Sequence, residues 1–338
     1  VTRVAALARR WEALLLLILL LVIAINAVAV PNYLGPQNQS NLLVLGLEKA
    51  IVALAMTFVI ISGEIDLSVA SVMGLAGVVM GALWQAGLPI EVAAALALLM
   101  GVGVGLFNGF WVAVVGLPSL VVTLAGLIGF RGLAYLIVED RFISGIPASF
   151  KAIAQDPFLG PAPFSVLVYA ALAVTAIVLL HLTGLGRYVY VLGNSRDVAR
   201  YSGVRVTRVR MAIFAMSGFV AALAGVIFAA RLGAVRGSTA EGFELDIITI
   251  VLLGGVSIFG GSGTMVGVLL STLLVLDLRN GMNLAGIPGN VQIGVIGALL
   301  ILSVLLPNLL RRLGERRRHV GARSGRRSEA APVPDGFG

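Results

Sequence analysis

Residues 91–138 read EVAAALALLMGVGVGLFNGFWVAVVGLPSLVVTLAGLIGFRGLAYLIV, and they carry charge only at Glu91 and Arg131. Gly116-Leu117-Pro118 divides them into two apolar runs, 91–115 and 119–138. A bilayer core about 30 Å thick takes about 20 residues of helix, and only a helix closes its own backbone hydrogen bonds without leaving an edge. Each run is long enough to cross.

Runs of the same kind lie on either side. They predict an all-α polytopic membrane protein of about ten transmembrane helices, at 13–30, 42–62, 67–84, 91–115, 119–138, 164–183, 211–231, 246–260, 263–280 and 288–306. The composition agrees: 59% of the 338 residues are hydrophobic and 12% charged, against about 25% charged in soluble domains. Glycine, at 42 residues, suits helices that approach closely where lipid supplies no hydrophobic drive between them. Gly77/Gly81 and Gly101/Gly105/Gly109 keep the required spacing.

Charge sets the expected topology. Arg3, Arg9 and Arg10 precede the first run, and Arg311, Arg312, Arg316, Arg317 and Arg318 follow the last. The loop from Gly186 to Arg210 holds Arg187, Arg196, Arg200, Arg205, Arg208 and Arg210 against Asp197 alone. Basic flanks stay inside, so both termini and this loop are expected in the cytoplasm of a bacterial inner-membrane protein, with six spans before the loop and four after. The chain then divides into a cytoplasmic N-terminus at 1–12, a transmembrane domain at 13–310 with its loop at 184–210, and a basic, disordered tail at 311–338. Ala27-Val28-Ala29 leaves a cleaved signal peptide as the alternative for the first run. Glu139 to Pro163 and Gly233 to Glu244 read as external loops. No strong sequence repeat is visible, yet five spans per half is compatible with two inverted five-helix halves.

Chemistry is excluded more readily than assigned. There is no cysteine, so disulfides, thiolate metal sites and thiol catalysis are out. His181 and His319 are too few for a histidine metal cluster, and neither Lys49 nor Lys151 sits in a phosphate-binding loop. No cofactor is expected, and the chain should not hydrolyse ATP itself. The net charge of +8 lies at span flanks, so nucleic acid is not an expected partner.

Polar residues at membrane depth are the site candidates. Ser62-Gly63-Glu64-Ile65-Asp66-Leu67-Ser68 joins two runs with almost no room for a loop. Glu64, Asp66 and Ser68 can belong to a substrate path or gate; the alternative makes Asp66 an N-cap for a helix starting near Leu67, with Glu64 favouring the same positive helix end. Asn108 and Thr123 are either interhelical hydrogen-bond partners or path residues. Arg131 should pair with an acid or line water. Asp277 and Arg279 are expected to be solvated, and Trp84 and Trp111 to anchor at the interface. In the basic loop Asn194 or Ser195 can cap a helix from about Arg196 to Ser202, stopped by Gly203. Val198 and Tyr201 would then fill a partner's groove beside Arg196 and Arg200; the alternative leaves the arginines to fix topology and bind anionic lipid.

Taken together, these residues resemble the permease subunits of bacterial ATP-binding-cassette sugar importers, in the ribose, rhamnose and autoinducer branch. The resemblance runs from about Asn41 to Pro307. It rests on Gly63-Glu64-Ile65-Asp66-Leu67-Ser68-Val69, Gly116-Leu117-Pro118-Ser119 through Thr123-Leu124, Arg131-Gly132-Leu133-Ala134, the loop from Gly186-Arg187 to Gly203-Val204, and Leu253-Gly254-Gly255 through Gly260-Gly261-Ser262-Gly263. It implies a dimer with an identical or sister permease, a periplasmic or lipid-anchored sugar-binding protein, and a cytosolic ATPase gripping the loop. Arg187, Gly193, Ala199, Arg200 and Gly203 match the loop pattern and become coupling residues, with Asn194 and Ser195 beside them. Ser195 stands where such loops usually carry asparagine, Val191 where they carry alanine, and Glu64 where relatives often hold glycine or asparagine. Phe142-Ile143-Ser144-Gly145-Ile146-Pro147-Ala148 is closer to rhamnose or autoinducer permeases than to ribose ones. The expected mechanism is alternating access. Branched-chain amino-acid permeases of similar architecture, and an ion-coupled secondary transporter using Glu64, Asp66 and Arg131, remain the rival expectations.

Overall fold

The computed structural model describes residues 2–139, 141–160, 162–299, 301, 302 and 305, with side chains from Trp11 onward except at 40 and 43. The end of the last expected span and the basic tail at 311–338, with its arginines from Arg311 to Arg318, lie outside the described residues. Among the described residues, six helices are long and apolar enough to cross a membrane: Trp11–Ala29, Ile90–Val115, Ser119–Val138, Phe164–Leu182, Val206–Leu232 and Met265–Leu284. Of the other four expected runs, three come out shorter and the last is described in part. The run at 42–62 becomes α2 (Pro36–Val44) and α3 (Leu47–Ile61), broken at the left-handed Gly46, and 67–84 becomes α4 (Val69–Gln85). The run at 246–260 shrinks to α12 (Phe243–Leu253), while 288–306 gives α14 (Gly289–Leu299).

In chain order the long helices are α1 (Thr2–Ala29), α5 (Ile90–Phe110, continued as a π-helix to Val115), α6 (Ser119–Val138), α8 (Phe164–Ile177, continued likewise to Leu182), α11 (Val206–Leu232) and α13 (Met265–Leu284). The basic loop holds α9 (Gly184–Asn194) and α10 (Arg196–Tyr201). The expected external loop at 139–163 folds as β1 (Phe142–Ser144), α7 (Ala148–Gln155), β2 (Pro157–Leu159) and β3 (Ala162–Pro163); β1 pairs antiparallel with β4 (Ala234–Arg236) from the second expected loop. Along α1, the side chain of Trp11 donates to Leu253 O and that of Asn26 to Asp277, so this helix is packed into the bundle.

All fifteen residues of α3 are buried, which fits a helix apolar on every face beyond its first turn. It is wrapped by α8, α11, α12 and α13. Of the two expected glycine series, that of α5 makes a close helix contact, whereas Gly81 of α4 lies against Ile143 and Val235 of the β1–β4 pair. Gly101 and Gly105 of α5 lie against the backbone of Gly218 and Phe214 in α11, and Gly109 against Met211, so the two helices approach as closely as backbones allow.

A local pattern occurs twice. A left-handed glycine precedes α3 (Gly46, φ +75°) and α12 (Gly242, φ +80°). Each helix then closes on another, Gly63 or Gly255, with Glu64 N–H donating to Val59 O at 3.1 Å and Val256 N–H to Val251 O at 3.4 Å. That is the Schellman closure, which satisfies carbonyls the helix end would otherwise orphan. The following helices, α4 and α13, run into Ala86-Gly87-Leu88-Pro89 and Ala285-Gly286-Ile287-Pro288. Lys49 pairs with Asp246 near the starts of α3 and α12, and Gly261 N–H donates to Ile61 O beyond their ends, so the two helices run side by side in one direction. The pieces that recur, α3–α4 and α12–α13, therefore share an orientation; they lie six expected runs apart, whereas inverted five-helix halves would pair runs five apart.

The end away from α9 and α10 carries buried ion pairs. Arg231 Nε donates to Glu48 Oε1 at 2.5 Å, and Asp246 accepts from Lys49 and, at 2.7 Å, from Arg279. Asp277, 3% exposed, accepts from Tyr33 Oη at 2.5 Å and Asn26 Nδ2 at 3.0 Å. The expectation that Asp277 and Arg279 are solvated is thus overturned. Both turn inward along α13, where an unpaired charge would be costly and partners are supplied.

Candidate functional site

The site forms where three short backbone segments meet at the α9 end: the turn Ser62–Ser68, the turn Val256–Thr264, and the corner between α9 and α10. Gly193 closes α9 so tightly that a Cβ there would collide with the Ile61 carbonyl and lie 2.5 Å from Gly261 N. Only glycine lets the corner sit down on both turns. Asn194 Nδ2 donates to Gly261 O at 3.3 Å and to Tyr190 O at 2.9 Å, and Tyr190 Oη donates to Gly263 O at 2.7 Å. Burial pushes the Tyr190 phenol up to about 12, so it remains a neutral donor near neutral pH.

The α10 helix forms as the sequence indicates. Ser195 is its N-cap, its Oγ accepting from Val198 N–H at 3.3 Å, Asp197 stands in the first turn, and Gly203 at φ +79° ends it. Asn194 is not the cap, since it terminates α9 and bonds the second glycine turn. Ala199 is fully buried beneath α10, while Arg200, Val198 (56% exposed) and Tyr201 (90% exposed) face outward, as does Arg187 on α9. An exposed apolar pair is thus displayed on the corner with exposed Arg196 and Arg200 on the same short helix.

Glu64 points at this corner. It is 2% exposed, and its Oε1 accepts from Arg210 Nε of α11 at 2.8 Å and from Arg196 Nη2 of α10 at 2.9 Å. Asp66 points the other way. Its Oδ1 accepts from Ser68 N–H at 3.0 Å and Ser68 Oγ at 2.6 Å, and its Oδ2 from Ser217 Oγ of α11 at 2.8 Å. The N-cap expectation is corrected: α4 starts at Val69 with Ser68 in the cap position, and Asp66 bonds the residue before the helix rather than its first turn.

The remaining candidates divide. Asn108 Nδ2 donates to Ser68 Oγ at 2.9 Å and Thr123 Oγ1 to Ile65 O at 3.1 Å, tying the turn to α5 and α6. Asn108 Oδ1 has no partner among the described residues. Glu64, Asp66, Ser68, Asn108 and Thr123 are all 2% exposed or less, so in this conformation they touch protein. Arg131 stands apart from them. Among the described residues it pairs with no acid but donates to three carbonyls, Gly237 (2.8 Å), Thr239 (2.5 Å) and Ala70 (3.2 Å), and fastens the β4 loop to α4. Trp84 Nε1 donates to Gly145 O, and Trp111 packs edge-on against Phe107 and Phe110.

Sequence reasoning gave Gly260, Gly261, Tyr190 and Ser217 no part in the site. The glycine cluster was visible as a motif, but that it meets Gly193 was not. Nothing in the apolar run of α11 marks Ser217 out.

Residues 38–304 match the model of the family described as branched-chain amino acid transport system / permease component. The xylose transport system permease protein XylH of Haemophilus influenzae is 33% identical, over 86% of this chain and 94% of its own. Autoinducer 2 import system permease proteins LsrD are 36% identical over 75% of this chain and 78% of theirs, in Salmonella typhimurium and in Yersinia pseudotuberculosis. No solved structure matches. With most of its length aligned to that model, including both glycine turns and the α9–α10 corner, the chain belongs to the branched-chain amino acid transport system / permease component family.

Proposed function

We propose that this chain is the membrane permease subunit of an ATP-binding-cassette importer for a monosaccharide or a sugar-derived signal, a conduit driven by a separate cytosolic ATPase. The observation that carries the reading is the α9–α10 corner. One side offers Val198 and Tyr201 on the same short helix as Arg196 and Arg200, and the other is wedged onto both glycine turns. Arg187, Gly193, Asn194, Ser195, Ala199, Arg200 and Gly203 are assigned to coupling. Glu64, Asp66, Ser68, Asn108 and Thr123 are assigned to an inner gate formed by the turn they pin, with Arg131 holding the outer side of α4.

Ten crossings suit this reading, made by α1, α2–α3, α4, α5, α6, α8, α11, α12, α13 and α14 in alternating directions. Trp11 and Glu12 bond Leu253 O and Thr264 near α9, which supports an N-terminus on the same, cytoplasmic side. Partners would be the ATPase, an external or lipid-anchored binding protein, and a second permease subunit, identical or sister. Names of the relatives favour xylose-like or autoinducer-like solutes, whereas the family's own description keeps branched-chain amino acids as the second reading.

The test is uptake into proteoliposomes holding the permease, its ATPase and binding protein, with labelled xylose, ribose, rhamnose, autoinducer 2 and leucine. ATP-dependent accumulation of a sugar-type solute is expected. Accumulation of leucine alone would favour the second reading, and accumulation without ATP would defeat the proposal.

A further inference from the structure

Resting on the transport reading above, we infer that Glu64 and Arg196 form a detachable latch by which α10 drives the α3–α4 turn, while Arg210 anchors the same carboxylate permanently. Glu64 sits under two guanidiniums of different character. The Arg210 side chain is 7% exposed and belongs to α11, which packs along α3, α4 and α5. The Arg196 side chain is 55% exposed and belongs to the six-residue α10.

This asymmetry sets what each can do. A buried carboxylate stripped of every cation is strongly destabilised, so a single-arginine contact would lock α10 in place. With Arg210 fixed, Glu64 stays compensated when Arg196 leaves. A partly exposed pair is weak enough to open and directional enough to pull. Among the described residues, Arg196 is the α10 side chain that makes a hydrogen bond or ion pair to the Ser62–Ser68 turn. Contact with the other turn is independent of it, through Asn194 and Gly261. The two turns can therefore be tested separately.

The experiment is hydrogen exchange on the permease bound to its ATPase, with and without ATP plus vanadate, for wild type, Arg196→Gln and Arg196→Lys. In wild type the nucleotide should change exchange in α9–α10, in the 62–68 turn and in the 256–264 turn. In Arg196→Gln the α9–α10 and 256–264 responses should persist, while that of 62–68 falls about fivefold, the shift one partly exposed pair supplies. Arg196→Lys, which keeps the charge, should retain most of it. An undiminished 62–68 response in Arg196→Gln, or a lysine variant no better than the glutamine one, overturns the latch alone. Loss of the α9–α10 response in Arg196→Gln also overturns it, by making Arg196 a docking residue. Absence of any nucleotide response in wild-type α9–α10 would sink the transport reading and the latch with it.

Discussion

Replacing Gly193 by alanine probes the junction where the corner meets both turns. The added methyl would lie 2.5 Å from Gly261 N and 3.0 Å from the Ile61 carbonyl carbon, and it would collide with the Ile61 oxygen. All three neighbours are backbone, so no side chain can swing aside. Overpacking of this kind costs about 1–3 kcal/mol. Separating the turns to relieve it opens the 2.8 Å bond from Gly261 N–H to Ile61 O, adding about 1 kcal/mol. A total of about 2–4 kcal/mol moves the seated-to-unseated balance by roughly 30- to 700-fold. Hydrogen exchange at Gly261 reads that balance directly, and ATP-driven uptake reads its consequence. Gly203→Ala is the control: at φ +79° with no atom within 4 Å of the added Cβ, it meets only the left-handed backbone penalty of about 1–2 kcal/mol, at the far end of α10. Gly193→Ala should expose the Gly261 amide and abolish uptake, whereas Gly203→Ala should leave that amide protected. Wild-type protection at Gly261 in Gly193→Ala would refute the wedge.

Two further outcomes concern the opposite end. Asp246→Asn strands Lys49 and Arg279, which both rely on that carboxylate; breaking a buried arrangement of this kind costs about 3–5 kcal/mol, so thermal unfolding in detergent should move sharply down, and an unchanged midpoint would show that the pairs do not hold α3 to α12. Tyr33→Phe removes the donor to Asp277 Oδ1, worth about 1.5–3 kcal/mol for a bond to a charged group. Burial, then the neighbouring Asp277 carboxylate, raises the Tyr33 phenol above its ordinary value, so its contribution is complete below about pH 10 and is lost as pH climbs through the raised value. Wild type should accordingly show an alkaline loss of stability that Tyr33→Phe lacks, and equal alkaline profiles would remove Tyr33 from the account.

Six of the spans were legible because apolar length is a one-dimensional property. So was α10, whose cap, acid and terminal glycine lie within nine residues of one another, from Ser195 to Gly203. What escaped depends on distance between segments. Glu48 and Lys49 stand inside an apolar run, but their partners Arg231 and Asp246 are supplied from other helices. The same holds for Glu64, which as a lone acid at membrane depth reads as a path residue until Arg196 and Arg210 arrive from far along the chain. The repeat was hidden for a different reason. Its signature is backbone conformation at Gly46, Gly63, Gly242 and Gly255, with little side-chain identity between the helices they bound.

The two ends of α3 are held by different physics, and under the proposed alternating access that difference sets the expected direction of motion. At the start, Glu48 and Lys49 engage Arg231 and Asp246 in buried surroundings, where low dielectric strengthens opposite charges and makes separating them expensive. At the finish, fifteen residues and about 22 Å away, the Ser62–Ser68 turn meets the corner through close backbone packing at Gly193 and the partly exposed Arg196. A pull on α10 meets less resistance at the turn than at the ion pairs, so α3 should pivot about its charged end. Because α12 runs parallel and its following turn contacts the same corner through Asn194, one displacement reaches the ends of both helices together. On the proposed function, a conduit opened this way would need no moving charge of its own, and its buried acids would serve as pins: Glu64 beneath its arginines, Asp66 between Ser68 and Ser217.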